Sequence, residues 1–268
     1  MREETQGSTG WDRMGKLMLI IGDFNQAEEF YNELLKNASK DSDKAFTYHQ
    51  LGILKNDQGQ YKEAAGFYKK SLEIKRKTLS EDHSSLAYTY NNIGLVYSNM
   101  RNYPKALKFY EKAHKIYEKS LPPNHPDLAT FYTNIGEVCR NMGNYSEALE
   151  FHDKALKIRE KTLPSNHPDL AQSYNNIAAA YYSMRSYSKA LEFNDKALKI
   201  KEKVLPPNHP HLAISYNNIG MAYSGKGDYA KALSYLEKTL AIEQSSLPPT
   251  HPTIKTTIKS INTVKKKM

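Results

Sequence analysis

The sequence contains a single cysteine, Cys139, in 268 residues. This excludes an internal disulfide and a cysteine-based zinc site, and it is typical of proteins in a reducing compartment. Long hydrophobic runs are also missing. The longest, Leu17 to Ile21, is far shorter than the roughly 20 residues of a membrane-spanning helix, and Met1 to Glu4 do not resemble a secretory signal. We therefore expect a cytoplasmic protein without membrane insertion.

The common motifs of enzymes are absent from the sequence. The chain has no glycine-rich phosphate loop, no His-Glu-x-x-His and no Gly-x-Ser-x-Gly. Cys139 takes a place that Tyr97, Tyr181 and Tyr223 take at intervals of 42 residues, which indicates a packing role. We predict a protein that is not an enzyme and uses no cofactor.

What the sequence does contain is an internal repeat of 42 residues. Tyr90-Asn91-Asn92-Ile93-Gly94 returns with small changes at 132–136, 174–178 and 216–220, and related segments begin at Tyr48 and Trp11. Within each unit, apolar residues recur every three or four positions, as they do in helices. Short polar turns join the two helices of a unit, so these helices must lie antiparallel. We predict an all-α, right-handed solenoid of six helical hairpins.

The repeat also predicts where each element lies. The six hairpins are expected at residues 9–40, 43–80, 84–121, 126–163, 168–205 and 210–247. Residues 252–264 carry Ile254, Ile258 and Ile261 at helical spacing, which predicts a capping helix. A flexible N-terminus at 1–8 and a basic tail at 265–268 complete the prediction.

A small residue recurs in the first helix of most hairpins: Gly52, Gly94, Gly136, Ala178 and Gly220. Glycine inside a helix costs about 0.5–1 kcal/mol relative to alanine. Its recurrence therefore indicates close packing of the two helices, and we expect it to face the alanine of the second helix, as Gly94 would face Ala106.

Five histidines recur once per unit: His83, His125, His167, His209 and His251. Neighbouring helices pack about 8–10 Å apart, whereas the nitrogen ligands of zinc lie within about 2.1 Å of the ion. We predict no metal site. The histidines are expected to cap helices or to fill the seam between repeats.

The repeat resembles a known family. Trp11, Met14, Gly15 and Ala27 match the tetratricopeptide consensus, and the segment from Leu121 to Asp127 resembles the repeats of kinesin light chain. The resemblance implies a scaffold or adaptor that binds a protein or peptide in a concave groove, with a kinesin heavy chain or a cargo protein as its partner.

The resemblance also has limits. Kinesin light chains carry a coiled coil before their repeats, and it has no counterpart before Trp11. We therefore expect cargo-style peptide binding rather than association with the motor. Similar arrays are accessory modules of larger proteins, such as mono-ADP-ribosyltransferases and signalling ATPases, and this alternative stays open.

The first helices of stacked hairpins line the inner wall of such an array, so polar residues on them are candidate ligand contacts. An asparagine amide donates and accepts hydrogen bonds together, and a row of amides suits the backbone of an extended peptide. The alternative is that these amides bond only to one another or to nearby backbone. The predicted groove residues are His49, Asn91, Asn92, Thr133, Asn134, Glu137, Arg140, Asn175, Asn176, Tyr182, Asn217, Asn218 and Met221.

The net charge is +9, from 38 basic and 29 acidic residues. This charge is compatible with an acidic peptide, an anionic membrane or nucleic acid such as RNA, which some helical repeats bind. It is equally compatible with a solvated lysine-rich face and no charged partner, since the lysines are spread through the repeats. The lysines concentrate on the second helices, for example Lys105, Lys108 and Lys112, and these helices form the outer surface. Because the inner wall is mostly neutral, we favour a peptide over nucleic acid.

Overall fold

The computed structural model describes residues 10–268, apart from the side chains of residues 10–12 and 16. The predicted flexible N-terminus, residues 1–8, lies outside the described residues. Within residues 10–268 the chain forms thirteen α-helices and no strand. The helices are α1 (Gly10–Ile20), α2 (Phe24–Asn37), α3 (Asp41–Asp57), α4 (Tyr61–Thr78), α5 (Ser84–Asn99), α6 (Tyr103–Ser120), α7 (Pro126–Asn141), α8 (Tyr145–Thr162), α9 (Pro168–Ser183), α10 (Tyr187–Val204), α11 (Pro210–Lys226), α12 (Tyr229–Ser246) and α13 (Pro252–Lys265).

Consecutive helices pair into six hairpins, from α1 with α2 to α11 with α12, and α13 packs against α12. The helices divide into two compact units, with α1–α6 in Met1–Pro122 (unit 1) and α7–α13 in Pro123–Met268 (unit 2). In unit 1, α3 contacts α5, and in unit 2, α7 contacts α9. First helices of adjacent hairpins therefore lie side by side, and we call the face they form the inner wall of each unit. The predicted all-α array of hairpins with a C-terminal cap is confirmed.

The recurring histidines start helices, as the sequence predicted. In each case Nδ1 of the histidine accepts a hydrogen bond from the backbone N–H two residues later, at 3.1 to 3.3 Å. This satisfies one of the backbone donors that the first turn of a helix leaves open. Proline follows the histidine in α7, α9, α11 and α13, where its missing N–H costs no hydrogen bond.

The turns between the two helices of a hairpin share one backbone conformation. Gly143 ends the first helix of hairpin 4 with a φ of 86°, and Arg101 does the same in hairpin 3 with a φ of 57°. A left-handed residue at this position reverses the chain and lets the next backbone N–H groups donate to the last carbonyls of the helix, as Asn144 N does to Cys139 O at 2.9 Å. The short turns thus hold the two helices of each hairpin together.

In hairpins 1–4 the contact between the two helices centres on a glycine of the first helix and a ring sixteen positions later. A Cβ atom at Gly94 would lie 2.6 Å from the Tyr110 ring, and one at Gly136 would lie 2.7 Å from the His152 ring. The glycine therefore makes room for an aromatic or imidazole ring. In hairpin 6 a Cβ atom at Gly220 would lie 3.0 Å from Leu236 and 3.3 Å from the backbone oxygen of Ala232, the alanine that the sequence predicted to face it. In hairpin 5 the corresponding residues are Ala178 and Asn194, so both sides of the pair change together.

The cap helix differs from its prediction at one position. Ile254 and Ile261 are buried as expected, but Ile258 is 39% exposed, and Thr257 and Val264 are buried. The buried stripe of α13 therefore follows intervals of three and four from Ile254, with Thr257 in place of Ile258. This stripe covers the apolar surface of hairpin 6, where Val264 packs with Leu236.

Replacing Gly94 with alanine should destabilise unit 1 by about 1–3 kcal/mol, because the new methyl group would overlap the Tyr110 ring in a packed core. Gly66→Ala is the matched control. Gly66 also lies inside a helix, but a Cβ there meets nothing within 4 Å. This control should stabilise the protein by about 0.5–1 kcal/mol. Urea unfolding measures both changes, and equal shifts for the two variants would contradict the packing role.

Candidate functional site

The predicted groove residues of unit 1 are buried. His49 is 4% exposed and Asn91 3%, and Asn92 is also in the buried class. The amide nitrogen of Asn92 lies 3.0 Å from Nε2 of His49, and the Tyr88 ring stacks on the imidazole with its centroid 5.0 Å away. These three residues therefore do not face a groove in this structure, because the Tyr88 ring and their mutual contacts enclose them. Here the alternative interpretation, in which the amides bond locally, describes the structure.

Burial also sets the charge of this cluster. It lowers the pKa of His49 well below its ordinary value, and the nearby Lys75 ammonium lowers it further. Burial lowers the pKa of Lys75 to about 8, and its Nζ donates a hydrogen bond to Thr89 Oγ1 at 3.0 Å. The imidazole is therefore neutral at physiological pH, and the cluster is a structural polar core.

The predicted residues of unit 2 are all half-buried and lie on three first helices. Helix α7 carries Thr133, Asn134, Glu137 and Arg140; α9 carries Asn175, Asn176 and Tyr182; α11 carries Asn217, Asn218 and Met221. The hydroxyl of Thr133 donates to the backbone carbonyl of Ala129 at 2.8 Å. The inner wall of unit 2 thus keeps polar side chains within reach of solvent, unlike the equivalent positions of unit 1.

Two adjoining pockets bring most of these residues together. The first has a volume of about 230 Å³ and is lined by Arg140, Ala178, Ala179, Tyr182, Ser183, Asn194, Asn218 and Met221. The second has a volume of about 620 Å³ and is lined by Pro168, Asp169, Gln172, Asn175, Asn176, Ala179, Lys201, Val204, Leu205, His209, His211, Ile214 and Asn218. Both pockets include Ala179 and Asn218, so they lie side by side, and we call the pair the unit 2 trough.

Three of the predicted residues, Thr133, Asn134 and Asn217, line neither pocket, and Glu137 takes part only through its ion pair with Arg140. Sequence reasoning in turn missed Asn194 and Ile214, which line the first and second pocket respectively. A signal for Asn194 was available, since it is the one amide at a repeat position that otherwise carries Tyr31, Tyr68, Tyr110, His152 and Leu236.

Arg140 and Lys201, the two cations at the trough, are both bonded within the protein. Arg140 pairs with Glu137, with Nε donating to Oε2 at 3.1 Å. Lys201 Nζ donates to Ser215 Oγ at 2.9 Å, and burial lowers the pKa of this lysine. The trough therefore presents amides, apolar side chains, the imidazoles of His209 and His211 and the carboxylate of Asp169, with its arginine neutralised by Glu137.

In unit 2, polar bonds with a spacing of fourteen residues join α8 to α9 and α10 to α11. Arg159 Nη1 donates to Ser173 Oγ at 2.6 Å, and Lys201 bonds to Ser215 in the equivalent place. The Tyr174 hydroxyl also donates to Glu160 at 3.0 Å. These bonds set the spacing of adjacent hairpins in unit 2 and so hold the sides of the trough in place.

The structure gives little support for other kinds of site. Among residues 10–268, no group of three or more His, Cys, Asp and Glu side chains is arranged to hold a metal ion. No helix in that range is long and apolar enough to span a membrane. Burial raises the pKa of the Cys139 thiol to about 12, which keeps it protonated.

The fold and the trough define an array of helical hairpins with a polar, accessible wall, which is the architecture of a repeat scaffold. The family model described as Tetratricopeptide repeat matches residues 43–119, 85–161, 127–203 and 169–245. These matches span well over half of the chain, and the chain therefore belongs to the tetratricopeptide repeat family.

Solved structures support the same fold. The chain is similar to the nearly identical repeats assigned to a kinesin light chain in Podosopora anserina, at 25% identity over 78% of this chain and 99% of that chain, with a TM-score of 0.67. BtubC from P. vanneervenii has 20% identity over 91% and 95% of the two chains, with a TM-score of 0.70. A signal transduction ATPase with a tetratricopeptide repeat sensor from Pyrococcus horikoshii has 20% identity over 95% of this chain and 38% of that chain, with a TM-score of 0.76.

The likeness to the last two structures concerns the fold alone. No curated protein matches the chain.

The buried His152 should make unit 2 sensitive to acid. Burial lowers the pKa of His152 to about 4; nearby Glu137 raises it, and Arg140 and Arg159 lower it. In the unfolded chain the His152 imidazole has a pKa near 6.5, so it binds a proton that it does not bind in the folded state. The free energy of unfolding therefore decreases as pH falls below about 6.5. Between pH 7 and pH 5 we expect His152 to cost about 2 kcal/mol of the free energy of unfolding.

His152→Tyr is the matched variant for this measurement. It places opposite Gly136 the ring that faces glycine in hairpins 2 and 3, and it removes the titrating group. Urea unfolding at the two pH values should show the wild type losing about 2 kcal/mol more than the variant. Equal losses would mean that His152 is not the source of the acid sensitivity.

Proposed function

We propose that this chain is a non-catalytic protein–protein interaction scaffold that holds an extended segment of a partner protein in the unit 2 trough. The single observation that carries the proposal is that the two pockets lie side by side and share Ala179 and Asn218. A pair of pockets across α9 and α11 suits a chain segment better than a compact small molecule. The buried, free Cys139 accords with action in the cytoplasm.

The polar groups of the trough suit a peptide backbone. Asn175 lines the second pocket, and its Oδ1 accepts no hydrogen bond from the protein. A peptide bond supplies one donor and one acceptor per residue, and an asparagine amide complements both. Val204 and Ile214 are exposed apolar side chains in the same pocket and offer contact area for side chains of the ligand.

The distribution of charge favours a peptide over RNA. Many lysines of the second helices lie over aromatic rings of their own hairpin. Lys196 lies over Phe193, for example, with Nζ 4.6 Å from the ring centroid. Lys238 lies over Tyr235 in the same way, at 5.1 Å. These cations are away from the trough, where Arg140 is already paired with Glu137. The trough therefore suits a largely neutral segment, and an acidic partner remains a prediction from net charge.

The kind of partner follows from the family likeness. The Podosopora anserina repeats carry the kinesin light chain description, and the chain covers 99% of that structure. On this basis we propose an adaptor of the kinesin light chain kind, which binds a segment of a cargo protein. Association with a kinesin heavy chain is not required by this proposal.

Asn218 provides the sharpest test, because it lines both pockets while its neighbour Asn217 lines neither. Ten-residue peptides are first selected from a random phage-displayed library on the wild-type protein. We expect Kd values of roughly micromolar, near −8 kcal/mol. Asn218→Ala should weaken binding about fivefold, since a net hydrogen bond contributes about 1 kcal/mol. Asn217→Ala, the matched control, should leave Kd unchanged, as fluorescence polarisation can measure.

Equal effects of the two substitutions, with helical circular dichroism spectra retained, would place the peptide outside the trough. Failure to select any peptide, combined with RNA binding that weakens steeply with salt, would instead favour the nucleic-acid alternative.

A further inference from the structure

The first pocket of the unit 2 trough contains a polar side chain that the wall of first helices does not account for. Asn194 belongs to α10, a second helix, yet it lines the pocket and is only 4% exposed. Its Oδ1 accepts no hydrogen bond within the protein. Buried polar groups are nearly always hydrogen-bonded in folded proteins, so this amide indicates a partner that the protein itself does not supply.

The pocket exists because of what Asn194 replaces. The equivalent positions of the first four hairpins carry rings that pack onto a glycine: Tyr31, Tyr68, Tyr110 and His152. In hairpin 5 a short asparagine faces Ala178, and both residues line a pocket of about 230 Å³. The space that a ring would take is therefore left open toward the trough.

The groups around this pocket limit what can fill it. A carboxylate carries no donor for the oxygen of Asn194, and the one guanidinium at the pocket, that of Arg140, is already paired with Glu137. An ammonium group carries no acceptor and finds no unpaired carboxylate among the lining residues. An apolar group would leave the Asn194 amide buried without partners, which is unfavourable.

A neutral group with both a donor and an acceptor satisfies these limits. A carboxamide is such a group, and two carboxamides can pair through two hydrogen bonds. Turning Asn194 about its last torsion brings either its oxygen or its nitrogen to the pocket. Because Asn194 lies on a second helix, behind the first helices that form the wall, the incoming carboxamide needs a long stem. Ala178 and Met221 provide apolar surface for that stem.

We propose that the Asn194 pocket binds the side chain of a glutamine from the partner segment, and that this contact determines part of the sequence preference of the scaffold. The inference rests on the peptide-binding function proposed above. It adds to that function the chemical class of the anchor residue, a side chain with a carboxamide, and the residue of the scaffold that recognises it, Asn194.

The experiment uses the ten-residue phage-displayed library and the full chain. Peptides selected on the wild type should share a glutamine at one position of their alignment. Replacing that glutamine with glutamate or methionine, which have similar length, should raise Kd about tenfold, which corresponds to about 1.4 kcal/mol.

Two variants separate the recognition of glutamine by Asn194 from the binding of the rest of the peptide. The double variant Ala178→Gly with Asn194→Tyr restores the glycine–ring pair of hairpins 2 and 3 and fills the pocket. It should bind the glutamine and methionine peptides with Kd values within about twofold of each other. Asn194→Leu keeps the approximate size of the side chain and removes the amide, so it should reverse the preference in favour of methionine. Circular dichroism reports whether each variant keeps its helical fold.

The outcomes distinguish this inference from the proposed function. Selected peptides that are sensitive to Asn218→Ala but share no glutamine would overturn the inference and leave the peptide-binding trough in place. An unchanged glutamine preference in the Asn194→Leu variant would also overturn it. If the library yields no binding peptide at all, both proposals fail.

Discussion

The pairing of a small residue in the first helix with the side chain sixteen positions later is the contact on which the hairpins depend. The second side chain is a ring in hairpins 1–4, Asn194 in hairpin 5 and Leu236 in hairpin 6. At Gly52, Gly94 and Gly136 the ring occupies the space where a side chain would begin, so the two helices approach more closely than alanine would allow. This contact also decides what the inner wall can display. Where the pair is glycine and a ring, the interior of the hairpin is full. Where it is Ala178 and Asn194, a pocket opens beside the wall.

A second constraint concerns charge. The chain carries a net charge of +9, yet the trough presents almost none of it. Lysines of the second helices extend over tyrosine and phenylalanine rings of the same hairpin. The Nζ of Lys154, for example, lies 5.2 Å from the centroid of the Phe151 ring. Other cations, such as Arg159, donate to hydroxyl groups of the next hairpin. The basic composition therefore supports packing of the hairpins, and it is a poor guide to the ligand.

Much of the fold was predictable because it repeats. The period of 42 residues, the two helices per unit, the histidine caps and the C-terminal helix follow from local patterns that tertiary contacts do not override. The site was predictable only in part. His49 and Asn175 occupy closely related positions in their repeats, but one is buried and the other lines a pocket. The difference comes from a neighbour: Tyr88 stacks on His49, whereas the positions equivalent to Tyr88 in unit 2 include Gln172 and Ile214, which leave space.

In a repeat array, then, residues shared by all hairpins indicate how the hairpins pack, and residues that differ in one hairpin indicate where a ligand binds. A residue that recurs in every hairpin, such as the small residue of the first helix, indicates the packing that all hairpins need. A ligand that binds at one place must be recognised by something that the other hairpins lack. Asn194 is such a departure, since it puts an amide where hairpins 1–4 have a ring and hairpin 6 has Leu236, leaves the amide oxygen without a partner and borders an accessible pocket. The recurring asparagines, which the sequence makes most conspicuous, are buried in one unit and accessible in the other, so their recurrence alone does not locate a site.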